Sequence, residues 1–147
     1  MITVQQMLDR KGSVVWSVTP DATVLDALKL MAEKDIGAVL VLSAGKLTGI
    51  LSERDYARKI ILYGKASKDT PVREIMTEKV VCVGPGQSAE ECMAIMDDKR
   101  IRHLPVIKDG QLGGVISIAD VVQAIVSEQQ FTIQQLEHYI LGDSGAA

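Results

Sequence analysis

Two seven-residue runs hold the side chains best placed to do chemistry: Gly49-Ile50-Leu51-Ser52-Glu53-Arg54-Asp55 and Gly114-Val115-Ile116-Ser117-Ile118-Ala119-Asp120. Each reads as a glycine-led apolar strand, then a serine where a helix needs its N-cap, then an aspartate one turn in. Free backbone N–H groups and the dipole at a helix start favour oxygen-rich or anionic ligands. A carboxylate there accepts hydrogen bonds from a vicinal diol, such as the two hydroxyls of a ribose. The glycine permits close backbone approach at the preceding strand. The same Ser-x-x-Asp spacing is also a plain capping box, worth about 1 kcal/mol with no ligand at all. Two copies in register weigh toward a ligand.

The elements that position these runs are themselves duplicated. Shifting the sequence by 65 residues lays Val15–Ile60 on Val80–Ile125 without a gap, and 13 of the 46 aligned positions are identical. The identities include Pro20 with Pro85, Met31 with Met96, Ile36 with Ile101, Gly45 with Gly110, Gly49 with Gly114, Ser52 with Ser117 and Asp55 with Asp120. Turn glycines, apolar positions and a polar pair kept together are the mark of a repeated supersecondary unit.

Each copy predicts the order βαββα. Val14–Val18 and Val80–Val83 read as short strands ending at Thr19-Pro20 and Gly84-Pro85. Val24, Leu28 and Met31 recur at helical spacing, and Ser88-Ala89-Glu90-Glu91 predicts a capping box for the second copy's helix. Gly37–Leu42 and His103–Ile107 are nearly unbroken apolar runs, as expected of central strands buried on both faces. Ser43–Lys46 and Lys108–Gln111 supply turn chemistry for hairpins with Leu47–Leu51 and Leu112–Ile116. A second helix closes each copy, with apolar stripes of Tyr56, Ile60 and Ile61 and of Val121, Val122, Ile125 and Val126. The segments from Thr3 to Leu8 and from Pro71 to Met76 resemble one another and predict a short helix leading into each copy. Thr132-Ile133-Gln134-Gln135 reads as a capping box opening an extra C-terminal helix over Leu136–Leu141 that caps the module, with Asp143 to Ala147 fraying. The chain therefore divides into repeat 1 at 8–66, repeat 2 at 67–130, and a C-terminal helix and tail at 131–147. A unit of about 50 residues buries too little surface alone, so the two copies are expected to pack sheet to sheet about a pseudo-twofold axis.

Composition narrows the function classes. With 47% hydrophobic and 24% charged residues, the chain has globular usage. Its apolar stretches, such as Ala38–Leu42, stop far short of the roughly 18 residues of a membrane span. The start from Met1 to Gln6 shows no secretory pattern, so the cytoplasm is the expected compartment. A net charge of −3 with 3% aromatics argues against nucleic acid as the main partner. Cys82 and Cys92 have no metal or redox spacing and read as buried reduced thiols. There is no Gly-x-Ser-x-Gly elbow, His-Glu-x-x-His, Walker loop or Cys/His metal set, and the motif carboxylates come one per copy. No catalytic residue, metal or catalytic cofactor is expected.

The two Gly-x-x-Ser-x-x-Asp runs, the stretch Ile101-Arg102-His103-Leu104-Pro105-Val106 and the βαββα order together resemble the cystathionine-β-synthase (CBS) domain family, whose paired repeats form a Bateman module. The likeness spans most of the chain. It implies binding of AMP, ATP, NAD or S-adenosylmethionine in clefts between the repeats, with adenine in an apolar slot. It further implies that Asp55 and Asp120 hold ribose, that Ser52 and Ser117 contact ribose or phosphate, and that Thr19, Ala38, Gly84 and His103 flank adenine.

The copies differ where a phosphate would sit. Arg54 matches Ala119, while the second copy carries Lys99, Arg100, Arg102 and His103. Unequal sites are expected, one preferring a phosphorylated ligand held by Arg54 with help from Arg102 or His103. Arg54, Arg58 and Lys59 also fit a solvated helix face, the favoured reading for Arg58 and Lys59. His103 can orient a phosphate or be structural. His138 reads as a surface or dimer contact, Met31, Met76, Met93 and Met96 as core filler, and Trp16 and Tyr56 as packing residues before adenine stackers. The function expected is a regulatory sensor of adenosine-containing ligands that signals in trans to an unidentified protein target, its helices offering a homodimer surface. A ligand-independent dimeric adaptor is the alternative.

Overall fold

The computed structural model describes residues 1–142, Gly142 by its backbone alone; the expectation for Asp143 to Ala147 lies outside the described residues. Contacts divide the chain into two compact units, Val14–Val81 and a second made of Met1–Ser13 with Cys82 onward. The compact units do not follow the sequence order of the two copies, because the leading segments are exchanged. Helix α1 (Val4–Lys11) precedes the first copy yet belongs to the second copy's unit, and the 3₁₀ turn Val72–Glu74 precedes the second copy yet belongs to the first. The exchange is symmetric bond for bond. Val4 and Gln5 donate to the Gln87 and Pro85 carbonyls, and Ala89 donates to the Ile2 carbonyl; in the other unit Val72 and Arg73 donate to the Ala22 and Pro20 carbonyls, and Val24 donates to the Thr70 carbonyl.

In the first unit, β1 (Ser17–Val18) runs parallel to β2 (Ala38–Ser43), which pairs antiparallel with β3 (Lys46–Ser52). As its apolar run predicts, β2 is central, with Val39, Leu40 and Val41 all buried. Ala44 and Gly45, at φ 51° and 79°, form the tight turn. Helix α2 (Val24–Lys34) starts where the Thr23 hydroxyl accepts from Asp26 N–H, and ends at Asp35 in the left-handed region. Its buried face, Val24, Ala27 and Met31, packs with Val39, Val41, Leu51, Ile60, Val72 and Ile75.

The second unit repeats this pattern. Strands β4 (His103–Lys108) and β5 (Gln111–Ser117) pair in the same register, the irregularity at Val106/Ile107 matching that at Val41/Leu42. Helix α4 (Ala89–Lys99) buries Ala89, Cys92 and Met96 at the positions of Val24, Ala27 and Met31. Only half of the capping box expected there forms, the Ser88 hydroxyl accepting from Glu91 N–H. The strand expected over Val80–Val83 shrinks to a single bridge from Val83 to Val106. In the first unit Leu40 N–H donates to the Trp16 carbonyl; its counterpart is Pro105, which has no N–H, so that rung of the ladder cannot form.

The closing helices depart most from expectation. Helix α3 (Glu53–Tyr56) is one turn long and widens into a π-helical turn over Ala57–Ile61; Ile60 is buried but Ile61 is exposed. Helix α5 runs unbroken from Ile118 to Glu137, where two helices were expected, before a π-helical turn at His138–Gly142. No glycine or proline interrupts it, and the Thr132 hydroxyl donates back to the Glu128 carbonyl instead of capping a new helix. Val121 and Ala124 are its buried positions, whereas Val122 and Val126 are exposed.

Candidate functional site

Both motifs form where a strand turns into a helix, and both are complete capping boxes. In the first, Ser52 N–H donates to Asp55 Oδ2 at 3.0 Å and Asp55 N–H donates to Ser52 Oγ at 3.2 Å. In the second, Ser117 N–H donates to Asp120 Oδ2 at 2.8 Å and Asp120 N–H to Ser117 Oγ at 3.3 Å. The serine hydroxyls also lie 3.2 and 2.9 Å from the same carboxylate oxygens. Register places Ala38 opposite Ser52 and His103 opposite Ser117. The residues read as adenine neighbours and ribose holders are thus adjacent within each unit. Thr19 lies in the turn after β1, its carbonyl accepting from Ala22 N–H, and Gly84 N–H donates to the Gln87 side chain. Arg54 is half-buried in its own unit, and Arg102 is exposed with its carbonyl accepting from Ile118 N–H.

What holds each carboxylate differs. Asp55 Oδ1 accepts from the Thr77 hydroxyl at 3.3 Å and faces Lys59 Nζ at 3.2 Å, and Lys59 also donates to the Ile75 carbonyl. Lys59 is four residues beyond Asp55 on the same helical stretch, so it is a partner of the motif as well as part of a helix face. Its counterpart 65 residues on is Ala124. There the role passes to Lys11, at the end of α1, whose Nζ donates to Asp120 Oδ2 at 2.7 Å and to the Val115 carbonyl at 3.0 Å. Nothing in the sequence spacing identifies Lys11; the Lys59 pair is visible as i,i+4.

Where α1 meets α5 a cavity of about 230 Å³ opens, lined by Met7, Arg10, Lys11, Asp120, Gln123 and Ala124. A larger cavity of about 380 Å³ beside Gln5, Asp9, Ser13 and Lys108 includes no motif residue. Burial pushes the Asp120 carboxyl pKa up, but hydrogen bonds from Lys11 and Ser117 and the lysine charge outweigh it, holding the pKa below its ordinary value. Ionised Asp120 therefore adds stability above the unfolded carboxyl's pKa of about 3.9, and this is lost as pH falls through the lowered folded value. His103 is pushed down, first by burial, then by Lys11 and Arg102, with Asp120 pulling the other way.

Other readings resolve simply. Lys34 Nζ sits 4.3 Å above the Trp16 ring, so Trp16 is engaged by a cation. Met31 and Met96 are buried and Met76 packs against the first core. Cys92 is buried, its thiol raised to about 11 by burial and by Glu91, and Cys82 is half-buried. His138 is exposed. Among the described residues no helix is long and apolar enough to cross a membrane, and no cluster of His, Cys, Asp and Glu is arranged to hold a metal.

The chain is similar to known proteins. The CBS domain profile matches residues 12–62 and again 72–127. CBSX3, a mitochondrial CBS domain-containing protein of Arabidopsis thaliana, is 47% identical over 136 residues, covering 89% of this chain and 66% of that protein, just under two thirds of its length. A candidate signal-transduction protein with CBS domains from Burkholderia ambifaria MC40-6 is 51% identical with a TM-score of 0.84, covering 89% of this chain and 98% of that one. A CBS domain pair solved with 5′-methylthioadenosine and S-adenosyl-L-methionine shares the fold at a TM-score of 0.76 and 19% identity, over 87% of this chain and 98% of that one.

Proposed function

The chain belongs to the CBS-domain family as a tandem pair, and from that premise we propose that it is a regulatory sensor of adenosine-containing ligands, AMP, ATP or NAD, and not an enzyme. The observation that carries the reading is the Ser-x-x-Asp box built twice in one register, each with a half-buried carboxylate on the first helical turn. Asp55 and Asp120 take the ribose diol, and Ser52 and Ser117 contact ribose or phosphate. Thr19, Ala38, Gly84 and His103 flank adenine, and Arg54 and Arg102 supply positive charge for phosphate. Occupancy is passed to a protein target in trans.

The ligand-independent adaptor remains a second reading because both boxes are closed by the protein's own groups. In either case a second copy of the chain covers α5. Val122, Val126, Ile133 and Leu136 are exposed along one face of it, an apolar stripe that a symmetric helix pairing would bury. The cytoplasm is the proposed compartment, although the Arabidopsis relative is mitochondrial.

Thermal unfolding of ligand-stripped protein with AMP, ATP, NAD and S-adenosylmethionine tests the sensor. Ligand at about 100 times its Kd is expected to add about 2.7 kcal/mol, several degrees of melting temperature for a chain of this size. An unchanged midpoint with every member of the panel leaves only the adaptor.

A further inference from the structure

The two repeats hold their motif aspartates with lysines from different places, and this difference assigns a ligand preference. In repeat 1 the lysine is local: Lys59, on the same helical stretch as Asp55, is tied to the Ile75 carbonyl as well. In repeat 2 the equivalent position is Ala124, and a cavity lies against it. The lysine there is Lys11, reaching Asp120 from a helix that begins near the start of the chain. Its side chain is 36% exposed and that of Asp120 21%, so the pair is wetted and weak enough for a ligand to exchange. Arg10 lines the same cavity and adds a second cation.

We propose that Lys11, with Arg10 beside it, makes the repeat 2 site select a phosphorylated ribose ligand over the bare nucleoside. This rests on reading Asp120 as a ribose-holding group. In the empty protein Lys11 neutralises Asp120. A ribose diol that hydrogen-bonds the carboxylate displaces the ammonium, and the displaced ammonium stays in a cavity that also holds Arg10. A nucleoside must break the Lys11–Asp120 pair and leaves the lysine without an anion. A nucleoside monophosphate breaks the same pair but brings its own anion, so the exchange is nearly balanced. The discrimination lies in Lys11, a residue outside the motif.

The test uses the full chain carrying Asp55→Asn, which isolates repeat 2, titrated with AMP and with adenosine by calorimetry. With Lys11 present, AMP is expected to bind at least about tenfold more tightly than adenosine, one ion-paired contact's difference. Lys11→Met should weaken AMP and leave adenosine equal or tighter, collapsing the ratio toward one, while Lys11→Arg restores it. In the empty protein, carbon NMR titration of Asp120 should show its pKa rising in Lys11→Met, confirming that the variant is folded and has lost this contact. A ratio unaffected by Lys11→Met, or a parallel loss of both ligands, overturns the proposal while the ribose reading stands. Failure of both ligands to bind even with Asp55 and Lys11 intact overturns the ribose reading, and the proposal with it.

Discussion

Asp55→Ala combined with Asp120→Ala is expected to remove most of the nucleotide-dependent stabilisation while leaving a folded protein. Each carboxylate is the anionic acceptor that closes its capping box, and a hydrogen bond to a charged group contributes about 1.5–3 kcal/mol, or about 10- to 100-fold in affinity per site. The same change removes half of each capping box, because Ser52 and Ser117 N–H donate to these side chains. That costs about 1 kcal/mol per helix start with or without ligand. The two effects separate by comparing melting temperatures of each variant empty and saturated. Loss of the cap lowers both curves equally; loss of the ribose contact closes the gap between them. Asp→Asn at both positions keeps an oxygen acceptor for the cap and should recover most of the empty protein's stability without recovering the gap. A double alanine variant that still gains several degrees from AMP would show that the motif carboxylates do not hold the ligand.

The second large effect is structural and bears on the position of Lys11. A Cβ built on Gly114 lies 2.7 Å from Leu8 Cδ2 and 3.2 Å from Leu8 Cδ1, in a buried site where the backbone has φ 157°. Gly114→Val should cost about 1–3 kcal/mol in overpacking, with a further strain cost of similar order because side chains rarely adopt that backbone geometry. Leu8 is itself buried, so the far end of its side chain has little room to turn aside, and relief through a shift of α1 away from β5 would also weaken the Lys11–Asp120 pair and raise the Asp120 pKa. Gly113→Ala is the control: its added Cβ meets Lys108 Cβ at 3.6 Å and the Val106 carbonyl at 3.7 Å, ordinary contacts. Chemical denaturation of the two variants should separate them by well over 1 kcal/mol. Equal stability would mean that α1 does not pack as tightly on β5 as these distances require.

Much of the fold is legible because the repeat constrains geometry as well as composition. Positions 65 apart share left-handed backbone at Asp35 and Arg100, at Ala44 and Asp109, and at Gly45 and Gly110. The hairpins share register and the irregularity after Val41 and Val106. Such local signals are carried by a few residues each, and a pattern reading finds them. Partner choice is different. The likeness of Thr3–Leu8 to Pro71–Met76 predicts that each segment leads a repeat, but not that each packs on the other one, because an apolar stripe does not say what it faces. Pro105 shows the limit of a duplicated template: one proline in place of Leu40 removes a ladder donor, and a strand becomes a bridge.

The candidate site divides along the same line. Serine cap and aspartate are local and follow from seven residues, and the strand register follows from the tight hairpin turn beside them. The partners of the aspartates are not. Lys59 is four positions from Asp55, and its i,i+4 spacing carries the signal even though a solvated helix face explains the same residue. Lys11 is 109 positions from Asp120 and becomes a partner only because α1 docks on the second unit. Arg54, the phosphate contact favoured by sequence, is inside a motif and therefore visible; a competing cation supplied from a distant helix is not.

If two carboxylates recognise a ribose diol, a ligand without the diol loses the contact they make. Calorimetric titration of ligand-free protein with AMP and with its 2′,3′-dideoxy analogue compares molecules with the same base and phosphate that differ in the diol. AMP is expected to bind and the analogue to lose at least about tenfold in affinity, the worth of one charge-assisted hydrogen bond. Equal binding of the two, or binding of neither, would contradict recognition of the diol.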